Sequence, residues 1–452
     1  MTQAINVNDA DLKILMTKYQ QNQEPVTINF RKLVSEIKST DRATHFIHKY
    51  PAKMLQHIPY YLFKNNIFSR KGDTVFDPFM GSGTVLLEGI LASRKVIGAD
   101  INPLAVLITK VKTRQYDIEV LETELNKIIK KYKKIKQLKF EEPKVINLSH
   151  WYDDKTVLML SRLKKVILGI NDIEIKEFYQ VVFSTCIRKY SYADPRVSVP
   201  VKINASRFAD GHWLKKHALD HLEHIKEHDL IDYFEEVAKK NIQRYFELNN
   251  MLESKEKPNV KVFDKDIKKL TAKEMNNESV DFIITSPPYV SAQKYIRSSR
   301  LNIEWLGLGE KESKFYDQHS IGREQILKSD LSLLEPVGSN ELNQIIYQIN
   351  EKNSTRAHIT LAYMIEMKKT FIELYRVLKT HGYFTMVMGN NTIAGIAFET
   401  EKFLRQIAEE IGFETKLVLI DDIKSRGLMT KRNKTASTIS REYVVIFQKV
   451  VK

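Results

Sequence analysis

Between residues 73 and 112, short apolar runs alternate with segments of helical periodicity. TVFDPF (74–79) and KVIGADI (95–101) have the length and composition of buried strands. GSGTVLLEGILAS (81–93) lies between them with apolar positions at helical spacing, and Pro103 opens a further helix at a position where proline is favoured. A strand, a helix and a second strand in this order predict a right-handed βαβ unit and a parallel sheet.

Helical periodicity then continues without a strand signal from 113 to 258, and strands resume at NVKVFDKD (259–266). Later strand-like runs are separated by amphipathic helices and by a polar stretch from 308 to 357. These runs are VDFIITSPPY (280–289), GYFTMVMGN (382–390), TKLVLIDDI (415–423) and REYVVIFQKV (441–450). We therefore expect an α/β fold in which one Rossmann-like sheet contains these strands and carries a long helical insertion.

Composition adds a charge argument. The chain has 43% hydrophobic and 28% charged residues, which is typical of a globular protein. It has no apolar run long enough to cross a bilayer and no secretory signal pattern, so we expect a cytoplasmic protein with no membrane partner. The formal charge of +15 favours a polyanionic partner, because lysine and arginine displace counterions from a phosphate backbone. The lysine-rich run at 127–139 is interpreted as a solvated helix face.

A glycine-containing loop, DPFMGSGT (77–84), lies where a strand passes into a helix. Gly81 and Gly83 allow a tight turn and the close approach of a ligand, although Leu86 replaces the third glycine of the dinucleotide pattern. Asp100 ends the next strand, where a carboxylate accepts the ribose hydroxyls of a nucleoside. The loop lacks the Gly-Lys-Ser/Thr ending of a phosphate loop, which disfavours a triphosphate. A plain structural turn is the alternative.

The second motif, SPPY (286–289), directly follows an apolar strand. Its prolines lack N–H donors, which leaves carbonyl groups free to accept hydrogen bonds at the carboxyl edge of the sheet, and Tyr289 offers a flat surface for a base. The exocyclic amine of a base is a poor nucleophile, and acceptors that hold its hydrogens make it more reactive. The motif alone fits amine methylation and a proline-terminated strand with a packed tyrosine about equally.

Together, DPFMGSGT and TSPPY resemble the cofactor and catalytic motifs of the DNA amino-methyltransferases, which modify cytosine N4 or adenine N6. The resemblance covers about 45–110, 259–306 and 365–449. It implies an α/β, Rossmann-like class I methyltransferase sheet with a helical insertion, in which the sheet is mixed, has seven strands and has helices on both faces. It also implies S-adenosyl-L-methionine as cofactor and double-stranded DNA as substrate. The target base would be flipped out of the duplex to reach the methyl donor.

The resemblance also implies residue roles. Asp100 would hold the ribose and Asp266 would lie near the adenine, while HFIHKYPAKM (45–54) would close over the methionine end. The implied cofactor-binding residues are Tyr50, Pro51, Lys53, Asp77, Pro78, Phe79, Gly81, Gly83, Thr84, Asp100, Asn102 and Asp266. The implied catalytic residues are Ser286, Pro287, Pro288 and Tyr289, with Ser286 and the Pro287 carbonyl receiving the amine hydrogens and Tyr289 stacking on the base.

These assignments divide the chain into four parts. We expect residues 1–40 to form an N-terminal helical segment and 41–112 to form the cofactor-binding part of the methyltransferase domain. We expect residues 113–258 to form a mostly helical insertion, which is a candidate target-recognition region, and 259–452 to form the catalytic part.

Several residues bear on the substrate and the chemistry. Serine opens the SPPY motif more often in cytosine-N4 enzymes, so Ser286 favours cytosine over adenine. The single cysteine, Cys186, follows Thr185 rather than a proline and is interpreted as a buried small hydrophobe, which disfavours carbon-5 methylation of cytosine. The histidines of the insertion lack the partners of a metal site, so no metal is expected; they are His212, His217, His221 and His224.

Three other functions stay open at this point. The chain could methylate adenine N6, or it could act on RNA, although only 76 residues precede Asp77 and leave little room for a separate RNA-binding domain. It could also be a catalytically silent DNA-binding subunit, which the intact motifs disfavour. A separately encoded restriction endonuclease is an expected partner of a DNA amino-methyltransferase.

Overall fold

A computed structural model describes residues 9–135, 143–253, 256–290, 295–327, 336–423 and 441–451. Within these ranges the strands are β1 (Val26–Ile28), β2 (Thr74–Asp77), β3 (Lys95–Asp100), β4 (Val260–Asp264), β5 (Val280–Thr285), β6 (Leu378–Met388), β7 (Asn391–Ile393), β8 (Ile396–Phe398), β9 (Phe413–Asp422) and β10 (Arg441–Lys449).

The α-helices in the same ranges are α1 (Asp9–Asn22), α2 (Phe30–Leu33), α3 (His57–Lys64), α4 (Thr84–Leu91), α5 (Pro103–Lys112), α6 (Ile118–Lys134), α7 (Leu148–Trp151), α8 (Asp154–Leu168), α9 (Ile173–Lys189), α10 (Trp213–Glu227), α11 (Leu230–Met251), α12 (Tyr295–Leu306), α13 (Ser313–His319), α14 (Asn340–Lys352), α15 (Ser354–Val377) and α16 (Thr400–Ile411). No helix among the described residues is long and apolar enough to span a bilayer.

The central sheet has the strand order β1-β9-β10-β6-β5-β2-β3-β4. β10 runs antiparallel to both of its neighbours, whereas the other neighbouring pairs are parallel. The α/β, Rossmann-like fold with a mixed sheet is therefore confirmed.

The sheet has eight strands in the described part of the chain, so the expected number of seven was wrong. The additional strand, β1, comes from the segment that was expected to be helical and pairs in parallel with Leu419–Asp421 of β9. A strand of three residues is too short to show an alternating pattern in the sequence. The pairing partner, and not the local sequence, makes this segment extended.

The order of strands reverses at β2, which lies between β5 and β3. In open α/β sheets, ligands bind at such a switch point, outside the carboxyl ends of the strands. The glycine loop follows β2, Asp100 ends β3 and SPPY follows β5. Parallel pairing therefore brings the motif loops to one edge of the sheet.

The insertion is helical, as its periodicity predicted, and contains α6 to α11. Helix α9 packs against α5, α8, α11 and α12, which attaches the insertion to the sheet domain. The lysines of the run at 127–139 that fall in α6 are exposed, in agreement with a solvated face, while 136–139 lie outside the described residues. Cys186 is fully buried in α9, as expected.

Candidate active site

A cleft of about 700 Å³, including its open mouth, lies at the carboxyl edge of the sheet beside the switch point. Nine of the residues expected from the sequence line it, namely Tyr50, Pro78, Phe79, Gly81, Asp100, Asn102, Asp266, Ser286 and Pro288. The fold thus brings residues of all the expected motifs to one cavity.

The glycine loop needs glycine for conformational reasons. Gly81 and Gly83 have φ values of +48° and +75°, in the left-handed region that other residues rarely adopt. A Cβ on Gly83 would lie 2.8 Å from side-chain atoms of Thr109, whose hydroxyl donates a 2.9 Å hydrogen bond to the Gly81 carbonyl. Gly81 lines the cleft, whereas Gly83 and Thr84 do not line it and start α4.

Replacing Gly83 with alanine is expected to lower the free energy of unfolding by about 2 kcal/mol, because a left-handed residue costs about 1–2 kcal/mol and the contact with Thr109 adds strain. Gly72→Ala is the matched control, since Gly72 also has a positive φ (+86°) but a Cβ there would meet no atom within 4 Å. Denaturant unfolding of both variants would measure the difference. Equal destabilisation of the two would show that the Thr109 contact has no energetic role.

Asp77 links the two motifs. Its Oδ1 accepts hydrogen bonds from the Phe79 amide at 3.1 Å and from the Thr285 hydroxyl at 2.6 Å. The side chain does not line the cleft and is 3% exposed, and burial raises the pKa of Asp77 to about 7. The Asp77 side chain therefore connects the glycine loop to the strand that precedes SPPY through these two hydrogen bonds, and it does not extend into the cavity.

Asp100 has the acceptor capacity expected of a ribose ligand. Its Oδ2 accepts the Gly81 amide at 2.9 Å, and its Oδ1 accepts the Asn102 amide at 2.8 Å. A carboxylate has about four lone-pair positions, so further acceptor positions are left for a ligand in the cleft. Burial raises the pKa of Asp100 to about 6, against the lowering effect of these hydrogen bonds.

Asn102 holds the aromatic wall of the cleft. Its Nδ2 donates to the Tyr50 hydroxyl at 3.0 Å and to the Ser299 hydroxyl at 3.2 Å, while its Oδ1 accepts from the Leu104 amide and caps α5. The Tyr50 ring is thereby fixed beside the cavity that it lines. Asp266 lies two residues beyond β4 rather than inside the strand, where it caps a short 3-10 turn.

The segment 45–54 reaches the cleft through Tyr50 and Ala52, but not through Pro51 or Lys53. The Lys53 ammonium donates to the carbonyls of His45 and His48, at 2.9 Å each. Burial lowers the pKa of Lys53 to about 8. Lys53 therefore stabilises the loop on which Tyr50 lies, and its side chain does not line the cavity.

A buried polar cluster attaches this segment to α4. The Glu88 carboxylate is 2% exposed, accepts from His45 Nε2 at 2.6 Å and pairs with the Arg42 guanidinium. Burial lowers the pKa of His45 to about 4 despite the neighbouring carboxylate, so a neutral imidazole is the donor near pH 7. The motif patterns gave no indication of this cluster.

The SPPY motif contributes Ser286 and Pro288 to the cleft, whereas Pro287 and Tyr289 do not line it. The Tyr289 side chain is 8% exposed, and burial raises the pKa of its hydroxyl well above the usual value. Gly322 packs against this loop, since a Cβ there would lie 2.9 Å from the Tyr289 carbonyl oxygen. Tyr289 therefore occupies a packed position next to the cleft.

Other residues of the cleft were not anticipated, namely Ala52, Ile101, Lys265, Ile267, Tyr295, Ile296, His319, Ser320 and Ile321. Ile101 and Ile267 directly follow the two predicted acidic residues, so the motif positions could have indicated them. The wall formed by 319–321 has no such signal. His319 is oriented there by a 2.8 Å hydrogen bond from Nδ1 to the Phe315 carbonyl and by stacking on the Phe315 ring at 4.1 Å.

The histidines of the insertion are not grouped with one another as ligands. His221 Nε2 bonds to the Ser191 carbonyl at 3.1 Å, and His224 stacks on His228. In the described ranges, no three His, Cys, Asp or Glu side chains come together in a way that could hold a metal ion.

Comparison with known proteins identifies the family. A model of the N6/N4 DNA methylase family matches residues 6–111 and 280–452, which are more than half of the chain. The chain belongs to the DNA methylase family. The unmatched stretch between the two matched parts, 112–279, includes the helical insertion of this DNA methylase.

Similar proteins include three type II methyltransferases. M.MvaI of Kocuria varians is 24% identical over 414 residues, and the match covers 88% of both chains. M.BsoBI of Geobacillus stearothermophilus is 25% identical, with 89% of this chain and 84% of that protein covered. M.AvaI of Anabaena variabilis is 24% identical, with 77% and 74% covered.

Similar solved structures are more distant. A SAM-dependent methyltransferase from Methanosarcina mazei has a TM-score of 0.30 and 10% identity, with 85% of this chain and 96% of that chain covered. The rRNA methyltransferase aviRa from Streptomyces viridochromogenes has a TM-score of 0.30 and 9% identity, with 92% of each chain covered.

S-adenosylmethionine is the methyl donor used by this DNA methylase. The cleft fits such a molecule, because it combines the unfilled acceptor positions of Asp100 with flat apolar walls. Phe79, Ile101 and Ile267 are among the apolar lining residues, and Asp266 adds a second carboxylate to the lining.

Proposed function

We propose that this DNA methylase transfers a methyl group to the exocyclic amine of a base at a specific site in duplex DNA, with cytosine N4 as the favoured target. The observation that carries the proposal is that Ser286 and Pro288 line the same cleft as Asp100 and Asp266. The carboxylates proposed to accept hydrogen bonds from the cofactor and the serine proposed to accept one from the target amine are therefore within one cavity. Serine at position 286 supports cytosine over adenine.

The restriction context is part of this proposal. Three of the similar proteins are type II methyltransferases, and each match covers about three quarters or more of both chains. A separately encoded restriction endonuclease would recognise the same DNA site. Methylation by this chain would protect the host DNA from it.

In the proposed mechanism, the chain acts mainly by positioning. When bound, S-adenosylmethionine would supply an electrophilic methyl group, whose bond to sulfur breaks to leave a neutral thioether as the bond to the amine nitrogen forms, and the methylated amine would release one proton to water. Ser286 Oγ and the Pro287 carbonyl accept hydrogen bonds from the target amine, which is flipped out of the duplex, and Tyr289 stacks on its ring. The Thr285–Asp77 hydrogen bond of 2.6 Å holds this loop against the glycine loop. Fixing the reacting groups in line supplies much of the rate acceleration.

The proposal is tested by incubating the chain with cofactor carrying a labelled methyl group and mixed-sequence duplex DNA, then digesting to nucleosides for mass spectrometry. We expect labelled N4-methylcytosine. N6-methyladenine would retain the amine chemistry and overturn the cytosine assignment. Label in RNA but not in DNA would overturn the substrate, and binding of cofactor without transfer to either would indicate a silent DNA-binding subunit.

Cofactor affinity is expected to rise with pH through about 6, because ionised Asp100 accepts ribose hydroxyls and its protonated form loses acceptor capacity. Below the pKa, the dissociation constant should increase about tenfold per pH unit. Calorimetry between pH 5 and pH 8 would measure this, and Asp100→Asn should bind weakly with no such slope. Asp77→Asn is the control: if it removed the slope instead, the titrating group would be Asp77.

A further inference from the structure

A row of aromatic rings lies on the surface of the insertion, around the start of α10. The Phe208 and His212 rings are nearly parallel, with centroids 5.4 Å apart, and the His212 and Trp213 rings are nearly parallel at 6.3 Å. His217 contacts Trp213 edge-on at 5.6 Å. Trp213 is 62% exposed, in contrast to the fully buried Trp305. A large apolar side chain in this state leaves flat surface available to a partner.

The same stretch of chain is strongly cationic. Residues 188–217 contain seven lysines and arginines but only two acidic residues. Both acidic side chains are already neutralised, since Asp194 pairs with Arg196 and Asp210 pairs with Lys215. Other cations of the stretch are exposed and form no ion pair with any described residue; they are Lys202, Arg207 and Lys216.

Contacts connect this surface to the rim of the cofactor cleft. His221 of α10 bonds to the Ser191 carbonyl at 3.1 Å, directly after α9. Helix α9 in turn packs against α12, whose first residues, Tyr295 and Ile296, line the cleft. The aromatic row is thereby joined through α9 and α12 to the elements that form the cleft.

We propose that Phe208, His212 and Trp213, together with Lys202, Arg207 and Lys216, form a docking surface for duplex DNA beside the flipped base. This proposal rests on the proposed function, because it names where that DNA is held. Unpaired cations match phosphates, and their contacts make binding salt-dependent. Flat exposed rings fit base or sugar faces, and apolar side chains of this kind insert at base steps in other DNA-binding proteins.

The electrostatic part is tested with the double variant Arg207→Gln and Lys216→Gln. The matched control is Lys239→Gln and Lys240→Gln, because these lysines lie in the same insertion but are held in ion pairs with Glu235 and Glu236. Duplex affinity is measured against salt concentration. The slope of log K against log salt should fall by about 0.9 for each phosphate that is no longer neutralised, hence by about 1.8 for the first variant. The control slope should be unchanged.

The aromatic part is tested with Trp213→Ala. Tyr347→Ala is its control, since Tyr347 is 63% exposed on α14, outside the insertion. Duplex affinity should fall at least about fivefold for Trp213→Ala, from the range of base–aromatic stacking, with little change in the salt slope. Cofactor affinity should be unchanged in all four variants, because none of the substituted residues lines the cleft.

Outcomes for the surface and for the proposed function are distinguishable. If the wild-type chain methylates duplex DNA but the surface variants bind like their controls, only the docking surface is overturned. If the surface variants lose duplex affinity while the wild-type chain transfers no methyl group to DNA, the methyltransferase assignment fails and the surface stands. If the surface variants bound an acidic protein more weakly than the wild type does but bound DNA equally well, the assignment of DNA as the partner of this surface would be overturned.

Discussion

Tyr289→Ala is expected to slow methyl transfer to duplex DNA by roughly 5- to 150-fold, which corresponds to about 1–3 kcal/mol of base–aromatic stacking. Tyr289 belongs to the SPPY loop but does not line the cofactor cleft, and its side chain is only 8% exposed. The loss should therefore appear in single-turnover methyl transfer and not in the dissociation constant of the cofactor. Rapid-quench kinetics with labelled cofactor and calorimetry would measure the two quantities.

Tyr289→Phe separates the proposed stacking from a purely structural role of the hydroxyl. It keeps the ring, so the transfer rate should remain within a few-fold of wild type. The hydroxyl has an acidic neighbour, Glu442, and each of the two groups influences the pKa of the other. A loss in Tyr289→Phe as large as in Tyr289→Ala would contradict stacking and assign the effect to hydroxyl contacts instead.

Glu88→Ala is expected to lower the free energy of unfolding by about 3–5 kcal/mol, the range for removing one partner of a buried ion pair. Glu88 is 2% exposed and is the shared acceptor for His45 and Arg42. Removing it leaves both donors without their carboxylate beneath the segment that carries Tyr50. Cofactor affinity should fall as well, since that segment forms one wall of the cleft.

Glu36→Ala is the control for the Glu88 prediction. Glu36 also pairs with a cation, Lys64, but their side chains are 46% and 61% exposed. Exposed ion pairs contribute roughly 0–1 kcal/mol, so this variant should unfold nearly as the wild type does. If denaturant unfolding gave similar small losses for both variants, the buried cluster would have no special role in holding the segment.

The chemistry of the site was predictable because it is carried by local patterns. A strand, a glycine turn and a helix form DPFMGSGT, and an apolar strand followed by prolines forms SPPY. Both patterns depend on residues within a few positions of one another, so the sequence is sufficient to indicate them. Parallel pairing of their strands then requires the two loops to share an edge.

The sequence was less informative about which side chains enter the cleft. Lys53 lies in a motif-like segment, yet it binds carbonyl groups of its own loop. Asp77 is part of the motif, yet it holds Thr285 from the far end of a long insertion, 208 residues away. Position in a motif predicts proximity to a site, whereas side-chain direction depends on packing that one segment does not contain.

Short-range patterns were sufficient to predict the α/β class, the motif loops and the helical insertion, because apolar periodicity and turn chemistry act over a few residues. Three features appear only in the folded chain: β1 adds an eighth strand to the sheet, 319–321 form one wall of the cleft, and Glu88 accepts a hydrogen bond from His45. Each of these features depends on a partner far along the chain. Such partners are selected by the burial and hydrogen-bonding of the whole fold, which no local pattern records.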